Sequence, residues 1–222
     1  MNNLDVKIEY IFNSGFTVET KNHFLVFDYY KGDINLSNKS TTVFVTHGHA
    51  DHYNPIIFDW KGDIDYVLSD DIKVENHVNF VKPGSNLKLN DIDIKVFGST
   101  DLGVSFLVSV DGLNIFHAGD LNWWYWENDT PKEKSDMKNQ FKSEIAKIKG
   151  ENVDLAFFPI DPRLGDAFSM GGEYFINEIS PKYFIPMHFG DNYGATSDFI
   201  HKMMGVSSTI VELNHKNQIV LL

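Results

Sequence analysis

The chain contains no cysteine, so neither a disulfide nor a thiolate metal site can form. Positive charge is scarce as well. Nineteen lysines and arginines face 31 acidic residues, giving a net charge of −12, and only Arg163 is an arginine. Nucleic-acid binding draws on a basic field to neutralise phosphates, so this balance argues against a DNA or RNA partner. Residues 1–12 lack the basic start and sustained apolar run of a secretory signal. No apolar run approaches the roughly 20 residues that cross a bilayer. These absences make a cytoplasmic protein without a membrane partner the expectation.

What remains is an ordinary globular composition, 42% hydrophobic and 23% charged over 222 residues. That length suits a single domain, residues 1–222, with a sizeable core. The first third reads as strands at 6–10, 16–20 and 24–28, with Asn22-His23 as a tight turn, then a β-branched apolar run at 41–46. The last of these suits a strand buried on both faces. Further strands are expected at 64–68, 92–97, 104–110 and 114–117, with a hairpin turn at Asp111-Gly112. Residues 131–149 change texture. Met137, Phe141, Ile145 and Ile148 recur at helical spacing among lysines and glutamates, and Pro131 suits a first turn. Strands at 155–160 and 183–187 then alternate with helices at 172–179 and 197–204, the latter capped by Ser197, before two closing strands at 209–213 and 218–222. No internal repeat or linker is visible. The pattern predicts an α/β or α+β sandwich with helices over its sheets.

Chemistry concentrates in Thr46-His47-Gly48-His49-Ala50-Asp51-His52. His47 and His49 are two apart, so in extended chain both imidazoles project the same way and can share one ion. Gly48 permits tight backbone geometry between them. A turn at Asp51-His52 would aim that pair at a second point nearby. Imidazole and carboxylate without thiolate suit zinc, and iron and manganese accept the same donors. Three histidines beside an aspartate, straight after a buried strand, favour a metal site over a merely polar loop.

This segment resembles the His-x-His-x-Asp-His signature of the metallo-β-lactamase-like superfamily. Two later segments extend the resemblance: Asn114-Ile115-Phe116-His117-Ala118-Gly119-Asp120 and Ile185-Pro186-Met187-His188-Phe189. It implies a four-layer αββα sandwich with one or two metal ions at the strand ends. It also implies that Asp120 bridges the ions, with His47 and His49 on the first and Asp51, His52 and His188 on the second. Within the superfamily the chain looks most like the ascorbate-phosphate-lactonase-like branch of metal-dependent hydrolases. One family landmark is missing: the histidine normally found at a strand end between the signature and Asp120. The matching stretch here is Val96-Phe97-Gly98-Ser99-Thr100-Asp101, and His77 lies well before it. The first ion's set is therefore short of a ligand, unless water or Asp101 completes it.

The function implied is hydrolysis of a small ester, lactone or phosphodiester by metal-bound hydroxide, with Asp51 ligating and also taking the water's proton. A phosphodiesterase or nuclease of the same fold is the alternative, although no basic groove is visible. So is a non-catalytic metal-binding regulatory protein, motivated by the missing histidine. Four consecutive aromatics, Trp123 to Trp126, follow Asp120 and cannot all face one core. They read as a wall of the pocket or a homo-oligomer contact, making Trp123 and Trp126 substrate-binding candidates. Arg163 either holds a substrate carboxylate or phosphate or pairs with Asp161 or Asp166. Asp28 either orients a ligand histidine or caps the following turn. His117 would face away from Asp120 in an alternating strand and reads as structural, while His23, His201 and His215 read as surface residues.

As the one ligand that the resemblance assigns to both ions, Asp120 yields the first prediction. Asp120→Ala should lose bound metal, measured by elemental analysis, with its far-ultraviolet circular dichroism nearly unchanged.

Overall fold

A computed structural model describes residues 4–222. The first sheet is built from β1 (Lys7–Phe12), β2 (Gly15–Glu19), β3 (His23–Phe27), β4 (Ser40–Val45), β5 (Ile64–Ser69) and β6 (Asn79–Val81). The second holds β7 (Asn86–Leu89), β8 (Ile92–Phe97), β9 (Ser105–Val110), β10 (Leu113–His117), β11 (Leu155–Pro159), β12 (Tyr183–Met187) and β13 (Thr209–Ile210). The closing strand β14 (Gln218–Leu221) returns to the first sheet beside β1. Three helices interrupt the second half: α1 (Pro131–Ile148), α2 (Met170–Ile179) and α3 (Gly194–Lys202).

Both sheets follow one plan. An antiparallel meander, β1-β2-β3 or β7-β8-β9-β10, gives way to parallel strands, β3 to β6 or β10 to β13. Parallel strands bury both faces, which explains why β3, β11 and β12 are apolar and buried at nearly every position. Their carboxyl ends gather on one edge of the sandwich, the place where parallel sheets leave a crevice.

Aromatic rings fill the space between the sheets. Phe16 meets Phe157 at 4.6 Å and Phe44 meets Phe106 at 5.4 Å between centroids. Over the outer face of the second sheet, α1 buries Phe141, Ile145 and Ile148, Phe175 of α2 stacks on Phe158, and Phe199 of α3 stacks on Phe184. The start of α1 is fixed by a capping box between Thr130 and Glu133 and by Pro131 in the first turn. The matching outer layer on the first sheet is thinner. A 3₁₀ turn at Pro55–Asp59 seats Ile57 among Val43, Val45 and Leu68, and loop residues cover the rest. The four-layer αββα sandwich holds, with one helical layer reduced to a turn.

Several local expectations are corrected. Helix α3 begins at Gly194, so Ser197 lies inside it and is not its cap; Asn192 and Tyr193 carbonyls already accept the amides of Ala195 and Thr196. The 209–213 strand pairs only at Thr209–Ile210. Strands β6 and β7 were not anticipated, because their short runs carry asparagine and lysine that mask the strand pattern. His23 is buried, since the β9–β10 hairpin brings Asp111 within 3.2 Å of Nδ1 and Asp91 lies 2.9 Å from Nε2. His201 and His215 are exposed. No helix among the described residues is long and apolar enough to cross a membrane.

Phe157 packs against Phe16 and Phe27 with no exposure, so it joins the two sheets. Phe157→Ala should lower the unfolding free energy by about 3–5 kcal/mol, read from the midpoint shift in urea.

Candidate metal centre

Five strand ends meet at one edge: Asp28 after β3, His47 after β4, Asp120 beyond β10, Asp161 beyond β11 and His188 after β12. Beyond β4 the chain turns at once, with the amides of His52 and Tyr53 both bonded to the His49 carbonyl. That turn sends Asp51 and His52 back toward the strand ends. The Gly48 amide donates to Asp71 Oδ2 at 2.8 Å and steadies the extended His47–His49 step. Across the site the loop before β9 is pinned by the Val104 amide on the Thr46 carbonyl. Gly103 adopts φ +77° there, and a Cβ on it would stand 2.0 Å from that same carbonyl oxygen. Gly119, at φ +54°, turns the chain after β10 against Thr46 and delivers Asp120.

The result is two groups of donors. His47, His49 and Asp120 form one, Asp51, His52 and His188 the other, and within each group the donor atoms lie inside 4.8 Å of one another. Asp120 sits between them. Its Oδ2 is 3.5 Å from His47 Nε2, while Oδ1 is 3.0 Å from His52 Nε2 and 3.3 Å from His188 Nε2. Asp51 Oδ2 is 3.6 Å from His188 Nε2 and 3.8 Å from His52 Nε2. All six ligands that the sequence suggested are thus brought together, in the two sets that the resemblance implied.

The atoms facing inward lack hydrogen-bond partners. His47 Nε2, His52 Nε2, His188 Nε2 and Asp120 Oδ1 are all buried, and none is aligned for a hydrogen bond. Stranding even one such group costs about 1–3 kcal/mol. Four converging on one point fit a cation that binds them all.

Their outward faces are fully engaged, which fixes the tautomers. His52 Nδ1 meets Asp28 Oδ2 at 2.8 Å, and His188 Nδ1 meets Asp161 Oδ2 at 3.1 Å. Thr46 Oγ1 donates to Asp28 Oδ2 at 2.7 Å and therefore accepts from His47 Nδ1 at 3.0 Å. In its neutral form each ring keeps its proton on Nδ1 and turns the Nε2 lone pair inward, the arrangement outer hydrogen-bond partners impose on metal-binding histidines. Asp28 thus orients a histidine, the first of the two roles considered for it. Burial would raise its carboxyl, but His52 and the neighbouring imidazoles hold it below the ordinary carboxylate value.

The same pairings govern the charge of the side chains themselves. Burial alone would lower His188, yet Asp120, Asp161 and Asp51 push it up to about 9. His52, likewise opposed by burial, is held well above its ordinary value by Asp120 and Asp28. Burial would raise Asp120, but His52 and His188 hold it well below the carboxylate range. His188, with Nε2 3.6 Å away, chiefly lowers Asp51. His117 stands apart. It is fully buried, lies 3.0 Å from the Ser14 carbonyl through Nε2, and is depressed by burial. It has the structural role expected of it.

Where the family histidine is missing, Asp101 faces His49 Nδ1 at 3.9 Å, both half exposed at the mouth. Beyond it opens a cavity of about 530 Å³. The aromatic run divides around this space. Trp123 turns away and packs between Phe141 and Tyr174, which corrects its reading as a substrate contact. Trp126 does line the cavity. So does Trp124, which the sequence did not single out; its indole N–H donates to the Asp120 carbonyl, and its ring lies 5.6 Å from that of His188. Arg163 grips Asp161 through two nitrogens while its guanidinium borders the cavity, so the pairing expected for it is present.

Two further residues escaped sequence reading. Asp161 holds His188, although the sequence suggested it only as a partner for Arg163. Asn13, in the β1–β2 turn at φ +56°, donates from Nδ2 to Asp51 Oδ2 at 3.3 Å and accepts the Gly190 amide on Oδ1. Its carbonyl accepts the His188 amide, and His188 itself adopts φ +64°. A turn asparagine carries no signal of such a role, because its partners lie 38 and 177 positions away.

Fold and site together define a class: a two-sheet sandwich with paired histidine–aspartate groups at the ends of its parallel strands. The chain belongs to the beta-lactamase superfamily domain family, whose sequence model matches residues 7–134. It is 26% identical over 217 residues to a UPF0173 metal-dependent hydrolase of Bacillus velezensis, covering 83% of this chain and 85% of the relative. A similar match is the UPF0173 metal-dependent hydrolase YtkL of Bacillus subtilis, 25% identical over 83% of this chain and 86% of its own. Among solved structures, Igni18, a metallo hydrolase of the archaeon Ignicoccus hospitalis, superposes with a TM-score of 0.69 at 17% identity over 98% of each chain.

Asp28 supplies the prediction for this site. Asp28→Asn keeps the shape but sets an amide against His52 Nδ1 in place of a pure acceptor, freeing the ring to take the other tautomer. Metal affinity should fall by roughly 10–100-fold, measured by chelator competition, with the secondary structure retained.

Proposed function

We propose that the protein is a metal-dependent hydrolase acting on a small ester, lactone or phosphodiester. The observation that carries this reading is the convergence of three buried imidazole Nε2 atoms and Asp120 Oδ1, all unpartnered, at the floor of an open cavity. The donor set of nitrogen and oxygen without sulfur favours zinc, and manganese or iron share it. His47, His49 and Asp120 would hold one ion, and Asp51, His52, Asp120 and His188 the other. The first group is the more exposed and has no histidine in the Ser99–Asp101 stretch, so the second is the tighter of the two. When bound, the metal polarises the substrate's carbonyl or phosphoryl oxygen and lowers the pKa of water to about 7.

The residues of the chain do the rest. Asp51 is half exposed and steadied by Asn13, so it can accept a proton from the attacking water while its other contacts stay in place. The water oxygen bonds to the carbonyl carbon or phosphorus, the ester bond breaks, and the leaving oxygen takes the proton back from Asp51. Trp124 and Trp126 shield one side of this chemistry from bulk water and offer apolar surface to the substrate. The small-molecule reading is favoured over a nuclease because, among the described residues, Arg163 is the only lysine or arginine lining the cavity. It is favoured over a non-catalytic role because the donors open onto accessible space.

The test is a screen of chromogenic esters, lactones and phosphodiesters with metal-analysed protein. Turnover of at least one class should disappear on chelation and return with zinc, manganese or iron. In Asp51→Asn, kcat should drop by about 10²–10⁴-fold. Metal-loaded protein inert toward every class would overturn the reading.

A further inference from the structure

The wall of the cavity is acidic. One face of α1, Glu133, Asp136, Met137 and Gln140, lines the side of the cavity, and Asp129 precedes it. The spacing of these residues, three and four apart, is that of a single helix face. Asp101 closes the mouth beside His49. Two divalent ions would be offset by Asp51 and Asp120 together with the Asp28 and Asp161 carboxylates behind the histidines, and four carboxylates still border the space: Asp101, Asp129, Glu133 and Asp136. Among the described residues the only lining lysine or arginine, Arg163, is already engaged by Asp161. Asp136 is offset by Lys132. The amino end of α1 contributes about half a positive charge, too little to reverse the sign. Low-dielectric walls concentrate such a field inside a cleft.

These carboxylates do not build another metal site. Among the described residues, only the two histidine groups bring three donor atoms within 4.8 Å of one another. The wall is spread over two helical turns, a shape suited to a diffuse organic cation. Aromatic surface lies beside it: the Trp124 and Trp126 rings are parallel to within 4° at 6.0 Å, and Trp126 is partly exposed. Indole faces attract ammonium groups by about 0.5–2 kcal/mol.

We propose that the cleft selects esters or lactones bearing an ammonium or quaternary ammonium group. The cation rests against Asp129 and Glu133, beside the indole pair whose Trp126 ring already carries the Arg163 guanidinium 5.7 Å from its centroid, while the scissile carbonyl reaches the histidine cluster. This rests on the hydrolytic reading and narrows it, since a phosphodiester would carry the wrong charge past the same wall. That the cavity is a site at all is shown independently by the unpartnered His188 Nε2 and Asp120 Oδ1 at its floor.

The test compares three esters of one shape on the metal-loaded protein: benzoylcholine, its neutral carbon isostere 3,3-dimethylbutyl benzoate, and anionic 2-sulfonatoethyl benzoate. At low ionic strength, where the Debye length is about 30 Å, kcat/KM should favour the cation over the neutral ester by about tenfold or more, with the anion slowest. The preference should collapse in the Asp129→Asn/Glu133→Gln double variant, in which glutamine preserves the capping box. It should survive in Asp63→Asn/Glu75→Gln, which changes net charge equally at exposed positions outside the cavity. Equal rates for cationic and neutral esters, or equal loss in both double variants, would overturn the inference. Binding is read separately from tryptophan fluorescence with phenyltrimethylammonium and benzenesulfonate. If none of the three esters is turned over, the selectivity is judged on this arm alone, and the hydrolytic reading is judged by the wider screen. Tighter binding of the cation, lost in the cavity variant, supports it; indifference to charge overturns it.

Discussion

A fully buried carboxylate at the end of β3 organises the active edge of this protein. Asp28 accepts the Thr46 amide, the Thr46 hydroxyl and His52 Nδ1, and so ties β3 to the first residue beyond β4. Through Thr46 it also sets the proton on His47. One side chain thereby determines which nitrogen two of the centre's three buried histidines present inward. A charge so deep is tolerated only while its partners stay in place, since removing one partner of a buried pair costs about 3–5 kcal/mol. Folding and site assembly are coupled there.

The rest of the centre repeats this logic on the second sheet. Asp161 does for His188 what Asp28 does for His52, and Arg163 holds Asp161 from the solvent side. Asn13 and Ser14 cross from the β1–β2 turn of the first sheet to the His188 loop and to His117 on the second, so the two sheets are joined by polar contacts as well as by the Phe16–Phe157 contact. The donors converge because rigid strands on both sheets aim them at one point. Preorganisation of this kind leaves the metal little reorganisation to drive.

Charge is distributed by depth. At the floor, imidazoles and carboxylates balance one another closely enough to shift each other's protonation, and a divalent cation would take the place of the protons held by His52 and His188. At the rim, carboxylates predominate and little opposes them. The chain's deficit of basic residues therefore shapes more than solubility, because the same imbalance reappears along the face of α1 that lines the cavity.

The sequence determined the chemistry of the centre. The candidate ligand types and their spacing at 47, 49, 51 and 52 are local, and the strands that carry Asp120 and His188 announce themselves as buried apolar runs. Strand and helix identity were legible for the same reason, since alternation and helical periodicity act over a few residues. The tertiary structure decided what depends on distant partners. The burial of His23 requires aspartates 68 and 88 positions away, and the role of Asn13 requires Asp51 and Gly190. The choice of Trp124 over Trp123 for the cavity wall turns on how the chain bends after Asp120, which four consecutive aromatics cannot encode. The shared plan of the two sheets leaves no trace in the residues either, because strand pairing constrains polarity pattern and length but not identity.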